Sequence, residues 1–199
     1  MKTRSKQDQI LDEAESMIRL GGFHAFSFRD IAREVNLKSA SVHYHFPTKE
    51  DLGAAVMKRY GARALAVLET VFEKHPTDWE ANVREFAGLF TSALERDGKL
   101  CLCGMLAAEY AMLPTAVVVE LNDFAEKNLR WLEEVLLKGS WTEDKTEARH
   151  GAHLVFSTLE GAMMISLSSG KRTILSEVIA LMIVCLRSRQ ELAKKPVAS

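Results

Sequence analysis

Apolar positions recur at helical spacing along nearly the whole chain. Ile10, Leu11, Ala14, Met17 and Ile18 mark a first helix that ends at the Gly21-Gly22 pair. A short ring-rich connection follows, with Phe23, Phe26 and Phe28. Ser27 then begins the pattern S-x-x-D with Asp30, a capping box in which aspartate stands for the usual glutamate. That box opens a second helix, Phe28 to Val35, with Ile31, Ala32 and Val35 on its inner side. Asn36-Leu37 makes the turn, since asparagine enters the left-handed region at little cost. A third helix runs from about Lys38 to His45, with Ala40, Val42 and Phe46 expected inward. Pro47 stops it, because proline disfavours helical backbone in the residue before it. Thr48 and Asp51 form another box and open a long fourth helix.

Beyond Tyr60 the elements lengthen. Leu65, Leu68 and Phe72 extend the fourth helix to His75-Pro76, and Trp79, Val83, Phe86, Phe90 and Leu94 make a fifth that closes at Asp97-Gly98. A short sixth helix holds Leu106 and Tyr110. The seventh spans roughly residues 115 to 138, and the last two lie near 143 to 168 and 173 to 189. No strand pattern competes with this reading. The expected fold is therefore all-α, with about nine helices: residues 1–50 form a small three-helix domain, and residues 51–199 form a larger helical domain.

Composition narrows the class. The chain has 199 residues, 47% hydrophobic and 27% charged, which is the balance of a soluble globular protein. Three cysteines, Cys101, Cys103 and Cys185, do not make a secreted disulfide framework. There is no leader-like apolar run after the polar start, and IALMIVCL at 179–186 is too short to cross a bilayer. The expectation is a cytoplasmic protein without membrane contact. Residues 1–60 carry ten Lys/Arg against eight Asp/Glu, a modestly basic head on an acidic remainder.

The stretch SASVHYHFPTKEDL, residues 39–52, sets four rings side by side at His43, Tyr44, His45 and Phe46. Two short helices joined by a three- or four-residue turn are a helix-turn-helix, whose second helix can enter the major groove of DNA. On that reading Ser39 and Ser41 approach base edges closely, and Lys38 reaches a guanine edge or a phosphate. His43 and Tyr44 press against the backbone, and Lys49 adds a cation beside free amides. A ring cluster of this kind also serves as core, and His45 with Phe46 fits that use better.

From Ser5 to Leu52 the segment resembles the DNA-binding domain of the TetR family of bacterial transcription regulators. The likeness is carried by a first helix ending in glycine, the following Phe, Ser27, Ile31-Ala32, and the closing Tyr-His-Phe-x-x-Lys-x-x-Leu. It implies backbone contacts from Ser27, Tyr44 and Lys49 and a recognition helix from Lys38 to Tyr44. The DNA-facing candidates are thus Ser27, Lys38, Ser39, Ser41, His43, Tyr44, Thr48 and Lys49. Two positions depart from the family's habit: Ala40 stands where glycine is frequent, and His43 where tyrosine is.

The resemblance further implies a homodimer built from the last two helices, a palindromic operator as DNA partner, and a body that binds a small effector and so lifts repression. Leu154, Leu159, Ala162, Val178, Met182 and Leu186 are the candidate dimer residues, although an intramolecular core claims residues of the same kind. Trp79, Phe86, Phe90, Met105, Tyr110, Phe124, Trp131 and His153 are the candidate lining of an apolar effector cavity. Cys101 and Cys103, beside Gly98, Lys99 and Gly104, loosely resemble the cysteine region of members that respond to electrophiles or oxidants, so a reactive effector is the alternative signal, while buried inert packing is the plainer reading of the pair. Cys185 reads as packing in an apolar helix. Glu147, His150 and His153 have a spacing open to a metal, but a polar helix surface explains them as well, and no metal or cofactor is expected. No phosphate-cradling glycine loop or nucleophile elbow marks an enzyme. The remaining rival is a helical adaptor that binds protein with the same face.

Overall fold

The computed structural model describes residues 5–194. Among them nine α-helices follow one another with no strand: α1 Lys6–Gly21, α2 Phe28–Glu34, α3 Ser39–His45, α4 Lys49–Lys74, α5 Trp79–Asp97, α6 Leu102–Ala108, α7 Thr115–Lys138, α8 Lys145–Ser169 and α9 Thr173–Lys194. Single 3-10 turns at Phe23–Ala25 and Tyr110–Met112 join α1 to α2 and α6 to α7. No described helix is long and apolar enough to cross a membrane.

The helix ends are set by local chemistry. Both predicted boxes form. Asp30 N donates to Ser27 Oγ while Ser27 N donates to the Asp30 carboxylate, and Thr48 and Asp51 repeat the exchange at the start of α4. Asp78 and Asp144 cap α5 and α8 through their carboxylates. Gly98 and Gly170 end α5 and α8 in the left-handed region, which glycine enters without a Cβ clash. Asn36 lies there too, at φ 52°, as the turn requires.

The contacts divide the chain into two compact units, and not at residue 50. One comprises the chain through Ala64 together with Leu100–Ala125; the other comprises Leu65–Lys99 and the chain from Glu126 onward. The polypeptide of α4 passes from one unit to the other at Ala64, and that of α7 at Ala125.

In the first unit α1, α2 and α3 bury Ile10, Ala14, Ile18, Phe23, Phe26, Ile31, Val42 and Phe46 together with Leu52, Val56 and Met57 of α4. Residues 100–125 are fastened to this core by polar contacts over long sequence separations. Arg19 Nε donates to Leu100 O at 2.8 Å, and Phe23 N donates to Glu109 Oε2 at 2.7 Å. Gly22 lies at φ 87°, a conformation that side-chain-bearing residues rarely adopt, and a Cβ there would overlap the Glu109 carboxylate. At this position glycine is required by both backbone and space.

The second unit packs α8 along α9 and α5 against both. Phe86 anchors an aromatic cluster, its ring stacked on Trp131 at 5.7 Å and meeting Phe90 at 5.6 Å and Phe156 at 6.2 Å. Trp141 Nε1 donates to Leu186 O at 2.8 Å, and Arg187 pairs with Glu80. That ion pair and its hydrogen bonds hold the Glu80 carboxyl below its ordinary range.

Candidate nucleic-acid interface

The outward face of α3 follows from which residues it buries. Val42 is fully buried and Phe46 nearly so, pinning one edge of the helix to the core. Ser39, Ala40, His43 and Tyr44 are exposed, and Ser41 and His45 half-buried. Ala40, expected inward, instead lies on the opposite side: at about 100° per residue it falls some 160° around the helix from Val42. Tyr44, 85% exposed, lies one turn further along that same side. Lys38 is not within the helix but immediately precedes it, with extended backbone and an exposed side chain.

The ring cluster has a structural share. His43 lies across the Phe28 ring at 4.6 Å, with Nδ1 3.4 Å from Pro47 O, so its imidazole is braced against α2 and the turn. His45 packs edge-on to Tyr44 at 5.3 Å. Tyr44 itself projects into solvent. A short helix of serines, alanine and an outward tyrosine presents small groups beside a long donor, which suits close approach to a groove floor and a phosphate wall.

Lys49 differs from the expectation of an outward cation. Its Nζ donates to Phe26 O at 2.6 Å and sits over the Phe26 and Phe23 rings at 4.3 and 5.1 Å from their centroids. Desolvation pulls its ammonium below the ordinary lysine range, opposed by the Glu109 and Asp30 carboxylates. The cause is spatial: the turn between α1 and α2 brings a free carbonyl and two ring faces within its reach. Ser27 and Thr48 are exposed, and their hydroxyls are engaged in the two capping boxes, donating to Asp30 at 2.6 Å and Asp51 at 2.7 Å. Hydrogen bonds from the Ser27 hydroxyl and then its amide hold the Asp30 carboxyl below its ordinary value.

The candidate effector residues do not gather in one place. Met105, Tyr110 and Phe124 belong to the first unit, where Phe124 packs on Tyr60 at 5.6 Å and Tyr110 is 53% exposed. In the second unit Trp79 packs against Gly139, Phe86, Phe90 and Trp131 form the aromatic cluster, and His153 is exposed on α8. What that unit does hold is an open groove of about 440 Å³ between α4 and α7. Leu65, Phe72 and Trp131 supply its apolar surface, and Glu69, Glu73 and Lys127 are among its charged residues. Only Trp131 belongs to the expected lining; Leu65 and Phe72 read in sequence as ordinary core positions of α4.

The cysteines divide between packing and exposure. Cys101 and Cys103 are buried, and Cys101 Sγ accepts from Gly104 N at 2.9 Å as the cap of α6. Their burial agrees with the reading of packed, inert cysteines and not with the exposed-thiolate alternative. Cys185, expected inside, is exposed on α9. Glu147 accepts from Thr142 Oγ1 at 2.7 Å and pairs with Arg189 at the same distance, and no trio of metal-ligating side chains occurs among the described residues.

The dimer candidates split as well. Leu159, Ala162, Met182 and Leu186 are buried where α8 and α9 pack on each other and on α5, so they are already spent within the unit. Val178 is half-buried and Leu154 49% exposed. The residues left outward form two stripes: Leu154, the half-buried Gly161 and Ile165 on α8, and Leu181, Val184 and Leu192 on α9, of which Ile165 and the α9 residues were missed in sequence. Their spacing of seven or four, and three or eight, was the available signal. It was masked by a helix apolar on more than one side.

Comparison with known proteins agrees with this geometry. A family model described as bacterial regulatory proteins, tetR family, matches residues 10–56, which span α1 to the first turns of α4. A TetR transcriptional regulator from Legionella pneumophila has a solved structure that superposes with TM-score 0.87 at 31% identity, covering 92% of this chain and 97% of that one. The regulator LmrA of Bacillus subtilis is 23% identical over 177 residues, 87% of this chain and 92% of LmrA. The biofilm operon icaADBC negative regulator IcaR of Staphylococcus aureus is 37% identical over 46 residues; that match spans a quarter of IcaR's length.

Proposed function

The chain belongs to the TetR family of bacterial transcriptional regulators, and on that premise we propose that it represses transcription as a homodimer and leaves its operator when an effector binds the second unit. The observation that carries the reading is α3: pinned by Val42 and Phe46, it turns Ser39, Ala40, His43 and Tyr44 to solvent within the segment that matches the family model. Phosphate contact comes from Tyr44 and Lys38, and the base edges are read from the first turn of α3. Two copies are needed because each carries a single reading helix and half-sites lie about one helical turn apart. The outward stripes of α8 and α9 supply the apolar surface for that pairing.

The groove beside Trp131 is the site we assign to an effector with an apolar body, its charged rim fixing orientation. Release requires that the effector bind the non-operator arrangement of the dimer more tightly than the operator-bound one. A signal through Cys101 or Cys103 is disfavoured by their burial, since a reactive electrophile must reach the sulfur.

The test is binding of the full-length protein to duplexes from the DNA upstream of its own gene, over a range of salt, with and without small apolar compounds. A saturable complex whose affinity falls steeply with salt, and which one compound class dissolves, is the expected result. Failure to bind any duplex, with the exposed face of α3 capturing a protein instead, would establish the adaptor reading.

A further inference from the structure

Ala40 stands almost diametrically opposite the buried edge of α3, in its first turn, where a recognition helix comes nearest the bases. It is not an isolated methyl. Ala40 borders an open hollow of about 340 Å³ together with Leu37, Ser41, Tyr44 and His45, and Lys6 and Lys38 also line it. A hollow that joins apolar side chains to two lysines is a poor seat for a neutral hydrocarbon. It matches a nucleotide that offers both a methyl group and a phosphate. Of the four bases only thymine carries an apolar group in the major groove, its 5-methyl, and alanine is among the side chains that contact it.

We infer that Ala40, in the hollow it shares with Leu37, is a specificity-determining residue that selects thymine at one position of each operator half-site through its 5-methyl group. This rests on the DNA-binding reading above and adds to it the base read and the residue that reads it. Ser39 and Ser41 hydrogen-bond with little preference of their own. The methyl contact therefore sets discrimination at its position.

The experiment selects duplexes from a random pool with the full-length protein, then replaces each thymine of the selected half-site in turn by uracil, which pairs identically and lacks the methyl. At one position the wild type should lose about fourfold in affinity per half-site, the worth of one buried methyl. In Ala40→Gly the thymine-to-uracil ratio at that position should fall to one. Because each ratio is taken within one variant, any loss of helix stability in the glycine protein cancels. A selected operator with no methyl-sensitive thymine, or a ratio unchanged in Ala40→Gly, overturns the inference and leaves the DNA-binding reading intact. A pool that yields no enriched duplex overturns both.

Discussion

Lys49 shows how far a single side chain departs from its motif. The sequence places a lysine one residue after a helix cap, where a cation reaches phosphate; the structure folds it onto Phe26 O and two rings. Removing it therefore costs the fold more than the interface. Lys49→Ala should lower unfolding free energy by about 1.5–3 kcal/mol, the worth of a charged hydrogen bond. It should change the salt slope of operator binding by much less than the roughly one unit a phosphate contact carries. Chemical denaturation and a salt titration check the two halves separately. Asp30 makes a pH prediction at the same scale. Its carboxyl is held below 3.8 by Ser27, so the capping box contributes fully above that value and is lost as pH falls through the depressed one. The stability gap between wild type and Asp30→Asn should be constant near neutrality and close in strong acid, as thermal melts across pH will show.

At the scale of helices, what was legible was whatever is local. Capping boxes, the Asn36 turn and the Pro47 stop involve neighbours within three or four residues, so Ser27-Asp30 and Thr48-Asp51 stood in the sequence as they stand in the structure. The facing of a seven-residue helix was not, because Ala40 and Val42 are both small apolar residues and two turns give no period to arbitrate between them. The apolar helices α8 and α9 posed the same difficulty: Leu159 and Leu154 look alike until α5 and α9 claim one of them. The dimer prediction shifts accordingly. Ile165→Glu or Leu181→Glu should yield a folded monomer by sedimentation and circular dichroism. Leu159→Glu should instead lose the fold, since an unpaired charge in that fully buried position costs several kcal/mol.

For the whole molecule, the ring-rich body was visible in the sequence and its division was not. Trp131 and Tyr110 read as members of one cavity, yet they fall into different units because residues 100–125 pack with the chain's beginning. No spacing rule announces such a return. The effector reading now makes a focused prediction. A ligand of the groove should shift Trp131 emission saturably, and operator affinity should fall over the same concentrations. The Cys101→Ser, Cys103→Ser double variant should respond like the wild type. Loss of its response, with folding and operator affinity unchanged, would return the signal to the thiols.

The hydrogen bonds from Arg19 to Leu100 and from Phe23 to Glu109 span 81 and 86 residues of chain. They give the reading head a birth order. A ribosome adding about 5–20 residues per second releases the α1 to α3 sequence several seconds before the segment that fastens it. During that interval the nascent chain has its recognition helix but lacks the α6 turn beneath α1, and contacts so distant in sequence form late. Nascent chains arrested before Leu100 should be readily cleaved by protease within residues 5–64, and chains arrested well past Ala125 should be protected there. The reading head is thus fastened only once the chain beyond Glu109 has left the ribosome.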